Sequence, residues 1–240
     1  MIKGRVRKYA GKGEAVIFDM DGVIFDSETL VLNCWREVAE CHGIRNIEIA
    51  CHECLGTNSA VSKQIFLRHY GQDFPYDEYK AEMSEVFFGY ASGGRLKKKP
   101  GVEKLLKYLK ESGIKVALAS STREAVVKKE LEEGGLLGYF DEIVCGDMVK
   151  RSKPEPDIFL EACRRLRSEP KKCYVIEDSY NGIRAAHAAG MHPIMVPDLM
   201  EPTEEMQGLA ETILGSLYDV IGYLEPFLPG CITSENGYQI

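Results

Sequence analysis

The sequence predicts an α/β fold: a parallel sheet with helices on both faces, carrying a small all-helical insert. Two observations lead there. From Pro100 onward, short apolar runs alternate with amphipathic stretches, and the runs show none of the polar alternation of a half-exposed strand. From Thr29 to about Gly93, by contrast, the spacing is helical, with no strong strand run.

Taken in order, residues 14–18 (EAVIF) form the first strand, which ends in an acidic turn. In TLVLNCWREVAECHG the residues Leu30, Cys34, Val38 and Cys41 recur at helical spacing, and Gly43 stops the helix. TNSAVSKQIFLRHYG repeats the pattern through Val61, Ile65 and Leu67, and DEYKAEMSEVFFGYA gives a third helix entered after Pro75. After the insert, VEKLLKYLKESG is an amphipathic helix closed by Gly113, and IKVALAS (114–120) is a buried strand. REAVVKKELEEGG (helix), DEIVCG (strand), PDIFLEACRRL (helix, with Pro156 in its first turn), CYVIE (strand), NGIRAAHAAG (helix) and HPIMVP (strand) continue the alternation. The boundaries are therefore a core of 14–28 and 97–228, a helical insert of 29–96, and terminal extensions 1–13 and 229–240. LKKKP, where the insert rejoins the core, reads as a solvated linker.

At 240 residues, with 45% hydrophobic and 28% charged, the chain can bury a real core. A formal charge of -7 argues against nucleic acid as a partner. The exception is the basic start, with Lys3, Arg5, Arg7, Lys8 and Lys12, which lacks the apolar stretch of a secretion signal and reads as a mobile or edge-strand N-terminus. No run suits a membrane span. The eight cysteines fit buried, reduced thiols in a cytoplasmic protein. Cys51 and Cys54 in CHEC invite a zinc reading, but a lone C-x-x-C without a second pair carries little weight.

The chemistry sits at strand ends. In VIFDMDGVIFDSE two carboxylates, Asp19 and Asp21, converge where a buried strand leaves the core. Close acids of this kind end a strand in a solvated turn, share a proton, or attend a cation. The other strand ends decide between these. Ser120, Ser121 and Thr122 follow KVALA, Asp147 and then Lys153 follow EIVCG, and Glu177 and Asp178 follow CYVI. In doubly wound sheets ligands bind at this rim. Asp19, Asp21, Glu177 and Asp178, four carboxylates without a histidine, suit a hard cation, Mg²⁺, and phosphate oxygens. An ionised Asp19 can act as a nucleophile, while Asp21 is placed to protonate a leaving alcohol. Ser120, the backbone N–H groups of Ser121 and Thr122, and Lys153 suit a phosphate group.

D-M-D-G-V, the serine ending ALASS, Lys153-Pro154 and E-D-S-x-x-G-I (177–183) together resemble the four ordered motifs of the haloacid dehalogenase superfamily, over about residues 14–225. The resemblance implies a Rossmann-like core with a C1-type cap, as in the sugar-phosphatase and β-phosphoglucomutase group. It makes Asp19 the nucleophile and Asp21 the general acid/base, with Ser120, Ser121 and Lys153 binding the phosphate. Mg²⁺ would be held by Asp19, the Asp21 carbonyl and Asp178, with Glu177 at or just outside the ligand sphere. Ser152 stands where the family usually has glycine.

Within the resemblance, Asp21 argues against dehalogenation. Lys63 is the nearest candidate for a phosphonatase-type cap lysine and reads better as an ordinary surface lysine. Mutases of this group carry a cap histidine where this chain has Val31, and a basic cap loop where it has Cys54-Leu55-Gly56-Thr57-Asn58-Ser59. Hydrolysis of a small phosphomonoester, a sugar phosphate by default, is therefore expected ahead of a mutase reaction. A non-catalytic binding protein is the remote alternative. Ser27, Glu28, Gly93 and Gly94 mark the crossings into and out of the cap, where small residues suit a hinge. Trp35, His52, Thr57 and Asn58 are candidate cap contacts. Oligomeric state is not legible.

Overall fold

The computed structural model describes residues 13–57 and 59–228. The basic N-terminal stretch, Asn58 and the C-terminal extension lie outside the described residues.

The first strand, β1 (Ala15–Phe18), leads into four helices: α1 (Ser27–His42), α2 (Ile47–Cys54), α3 (Ser59–Tyr70) and α4 (Tyr76–Ala91). The alternating part follows as α5 (Val102–Glu111), β2 (Lys115–Ser120), α6 (Glu124–Glu133), β3 (Glu142–Cys145), α7 (Asp157–Arg165), β4 (Cys173–Glu177), α8 (Tyr180–Ala188) and β5 (His192–Met195). The chain closes with α9 (Glu204–Leu209), the two-residue β6 (Thr212–Ile213) and α10 (Leu217–Leu224). No helix among the described residues is long and apolar enough to cross a membrane.

All strand pairs are parallel, in the order β3-β2-β1-β4-β5-β6. Chain direction across the sheet reverses between β1 and β4, which opens a crevice at their carboxyl ends. Both faces are buried, as continuous apolar runs require. Val16, Phe18, Val116 and Leu118 pack on one face beneath α5 and α10, whereas Ala15, Ile17, Ala117 and Ala119 pack on the other beneath α7 and α8. The alternation is the period-two geometry of a strand.

The insert has its own core, built on Trp35, Phe66 and Tyr76, with the Trp35 and Phe66 ring centroids 4.6 Å apart. It contains four helices where the sequence pattern gave three. Helix α2 was missed because its eight residues, IEIACHEC, hold too short an apolar stripe to register a period. The two crossings run side by side: the Asp26 N–H donates to the Lys97 carbonyl at 2.8 Å and the Lys99 N–H to the Ile24 carbonyl at 2.9 Å. The expectation of a solvated LKKKP linker holds for Lys97, Lys98 and Pro100, which are exposed, but not for the rest. Leu96 is buried, and the Lys99 ammonium pairs with Asp198 Oδ1 at 2.6 Å.

Candidate active site

The carboxyl ends of β1, β2 and β4 bring the motif residues together under the insert. Phe18 pairs with both Leu118 and Ile176, so the residues following each strand emerge side by side. A cavity of about 570 Å³ lies between this rim and the insert, and Asp19, Asp21, Ser121, Thr122, Lys153 and Asp178 line its floor.

Lys153 is the hub of that floor. Its ammonium donates to Asp19 Oδ1 at 2.5 Å, to Glu177 Oε1 at 2.6 Å and to the Ala119 carbonyl at 3.2 Å. Burial opposes the ammonium charge, but Asp19 and Glu177 outweigh it and hold Lys153 above the usual lysine range. Glu177 is completely buried, and its Oε2 accepts from the Asp178 and Ser179 N–H groups and the Ser179 hydroxyl, each at 3.0 Å. Such an approach needs Gly182 on α8, because a Cβ there would fall 1.8 Å from the Glu177 carboxyl. Gly22, at φ 79°, makes the matching close approach to Asp178, whose Oδ2 would lie 2.3 Å from an added Cβ.

Asp19, Glu177 and Asp178 can each aim an oxygen so that all three lie within 4.8 Å of one another. Burial raises the Asp19 carboxyl, Lys153 draws it down and Glu177 and Asp21 raise it again, with the balance at about 8. Asp178 is raised well above the carboxylate range by burial and then by Glu177 and Asp19. Three buried acids thus share one lysine, and the site is short of positive charge. An all-oxygen donor set with that deficit fits a hard divalent cation such as Mg²⁺.

Asp21 stands outside that trio. Its Oδ1 accepts from the Ser27 hydroxyl at 2.6 Å and its Oδ2 from the Thr122 hydroxyl at 3.1 Å, so both oxygens are oriented by the insert crossing and by the β2 end. Ser120 is fully buried below the floor, where its Oγ accepts from the Thr122 N–H at 3.0 Å. The Thr122 N–H is therefore committed within the loop, and Ser121 and Thr122 rather than Ser120 border the cavity. Asp147 turns away and caps the start of α6, accepting from the Glu124 N–H at 3.2 Å.

On the roof, Val31, Trp35, Cys51, Cys54, Gly56 and Thr57 border the cavity. His52 is exposed and stands outside it. Lys63 pairs with Asp77 on the surface of the insert, away from the floor. Gly93 and Gly94, at φ 73° and 74°, donate their N–H groups to Glu133 Oε2 on α6 at 2.9 and 3.4 Å.

Several charged groups lining the cavity were not anticipated as such: Asp77 and Lys80 on α4, Arg123 just before α6, Glu130 on α6, and Glu28, which the sequence placed only at the crossing. Burial, then Asp21, Asp19 and Asp198, push Glu28 up to about 8. Burial, then Asp21 and Glu133, push Glu130 to about 8 as well. Burial lowers Lys80, against the pull of Glu28. Lys80 and Glu130 sit at ordinary positions of amphipathic helices and belong to no motif, so the sequence held no signal for them.

Residues 16–196 match the family model for haloacid dehalogenase-like hydrolases. A phosphorylated carbohydrates phosphatase of Thermotoga maritima is 37% identical over 181 residues, covering 75% of this chain and 83% of its own. A beta-phosphoglucomutase of Bacillus subtilis is 32% identical, covering 76% of this chain and 83% of its own. The crystal structure of CbbY from Rhodobacter sphaeroides in complex with phosphate superposes with a TM-score of 0.72 at 30% identity, over 87% of this chain and 96% of that one.

Proposed function

This chain belongs to the haloacid dehalogenase-like hydrolase family and is a phosphoric monoester hydrolase; on that footing we propose a Mg²⁺-dependent phosphatase that cleaves a small phosphorylated metabolite, foremost a sugar phosphate, through an aspartyl-phosphate on Asp19. The observation that carries the reading is the Lys153 hub, which fixes Asp19 through one oxygen at the mouth of a cavity roofed by the insert.

In this reading the Asp19 carboxylate attacks phosphorus while the bond to the leaving alcohol breaks. Asp21, held by Ser27 and Thr122, gives its proton to the departing oxygen. It then takes a proton from the water that opens the aspartyl-phosphate, and inorganic phosphate leaves. Lys153 supplies positive charge beside the phosphate, the Ser121 hydroxyl and N–H hold its oxygens, and Ser120 keeps the loop in shape through Thr122. Asp19, Asp178 and the Asp21 carbonyl would hold Mg²⁺, which supplies charge neutralisation for the transferring phosphoryl group. Glu177, with both oxygens taken, aims Lys153 from outside that set. The roof excludes water during the first step.

The relative that carries a mutase name keeps a mutase reaction as the second reading. Against it stands Val31, an apolar side chain at the cavity wall where the mutases resembled carry histidine. The deciding experiment follows phosphate release from sugar phosphates and p-nitrophenyl phosphate with Mg²⁺, for wild type and Asp19→Asn. Conversion of β-glucose 1-phosphate to glucose 6-phosphate is read in parallel. Release that vanishes in the variant supports the phosphatase, isomerisation without release supports the mutase, and release that survives in Asp19→Asn overturns the nucleophile.

A further inference from the structure

Beyond the phosphate-binding floor the cavity is lined by charged groups that the catalytic scheme leaves unused: Asp77, which is paired with Lys63, the exposed Arg123, and the more enclosed Glu130, Glu28 and Lys80. Glu130 projects from the core helix α6, Glu28 from the first turn of α1 and Lys80 from α4, so three separate elements direct them at one space. Glu130 is only 8% exposed, yet among the described residues its carboxyl makes no hydrogen bond or ion pair. Nor do the carboxyl of Glu28 and the ammonium of Lys80, although each stands among side chains of opposite charge or hydrogen-bonding capacity.

A buried polar group without a partner is costly, so groups left open toward a cavity mark what is meant to fill it. A carboxyl offers up to four acceptor positions when ionised, and a donor besides when it holds a proton. Vicinal hydroxyl groups match that capacity in either state. A plain aromatic or alkyl alcohol would leave all three groups unsatisfied.

Resting on the phosphatase reading above, we infer that Glu28, Glu130 and Lys80 select the leaving group, and that they select a polyhydroxylated alcohol. Ser59, Ser62 and Thr57 on the roof extend the same polar surface. Trp35 and Tyr76 supply the apolar wall against which the carbon face of such an alcohol rests.

The test compares kcat/KM for a panel of hexose and hexitol monophosphates and for p-nitrophenyl phosphate, which has no hydroxyls to read. The wild type is expected to favour the best polyol monophosphate over p-nitrophenyl phosphate by at least about tenfold, the scale of one lost hydrogen bond to a charged group. In Glu130→Leu the ratio of polyol phosphate to p-nitrophenyl phosphate should fall by about tenfold or more, mostly through KM. Glu130→Gln, which keeps an acceptor and a donor, should recover part of it, and Lys80→Met should lower the same ratio. An equal loss on both substrates in Glu130→Leu and Glu130→Gln would show a structural role and overturn the inference, as would a wild type that prefers p-nitrophenyl phosphate. A wild type that hydrolyses none of these esters would instead overturn the phosphatase reading beneath it.

Discussion

The Lys153 ammonium donates to Asp19 Oδ1 at 2.5 Å across 134 residues of sequence, and both side chains are almost wholly enclosed. Glu177 shares the same ammonium at 2.6 Å, so one buried cation balances two buried anions. Removing one partner of such a group leaves charge that nothing nearby compensates. Lys153→Met is therefore expected to lose activity and about 3–5 kcal/mol of stability near neutral pH. The deficit should shrink as pH is lowered through the carboxylate range, because the stranded acids then take up protons. Urea unfolding at two pH values measures it, and a variant of undiminished stability at neutral pH would count against the hub.

Chelation tests the charge deficit of Asp19, Glu177 and Asp178 directly. EDTA is expected to silence phosphate release and Mg²⁺ to restore it. A second readout does not depend on turnover: a ligand that binds only the folded chain stabilises it by mass action. Saturating Mg²⁺ should raise the Tm of the wild type by several degrees and that of Asp178→Asn by much less. An equal rise in both would place the ion elsewhere.

Gly182 lies inside α8, where alanine would ordinarily favour the helix by about 1 kcal/mol. Here the close approach of Glu177 reverses the sign. An added Cβ would sit 1.8 Å from the Glu177 carboxyl, in a site with no room to yield. Gly182→Ala is expected to cost about 1–3 kcal/mol through overpacking and to reduce activity by displacing the anchor of Lys153. Thermal melts and phosphate release check both. A stabilised, fully active variant would mean that the loop accommodates the methyl group freely.

The floor of the site was legible because its parts stand at strand ends, where an apolar run followed by a carboxylate, hydroxyl or lysine is visible without knowing the fold. That β1 to β5 lie in one parallel sheet followed from the same runs, but their order did not. Strand β6 escaped notice because two residues cannot show a period, and α2 because eight residues barely do. Two of the charged groups lining the cavity were illegible for a different reason. Lys80 and Glu130 occupy amphipathic helices rich in lysine and glutamate, and only the packing of α4 and α6 around the cavity separates them from their solvated neighbours. Lys99 shows the converse, since a run of three lysines reads as solvent-facing until Asp198 is found beside it.

Glu130 also makes a prediction about pH. Burial, reinforced by Asp21 and Glu133 and opposed by Lys129, lifts its carboxyl from an ordinary 4.5 to about 8. A carboxyl raised on folding contributes its full stability below the unfolded value, where both states hold the proton. Between the two values the unfolded chain ionises while the folded one does not, so stability falls by up to about 1.4 kcal/mol per pH unit. Above about 8 both states are ionised and the loss is complete. Glutamine fills nearly the same space and cannot ionise, so Glu130→Gln escapes this loss. The stability of Glu130→Gln relative to wild type should therefore rise steadily as the pH is taken from 5 to 8.5, and then level off. Urea unfolding of both proteins at several pH values measures the difference, and a gap that stays constant, or narrows with rising pH, would show that the folded protein does not hold this carboxyl in its neutral form.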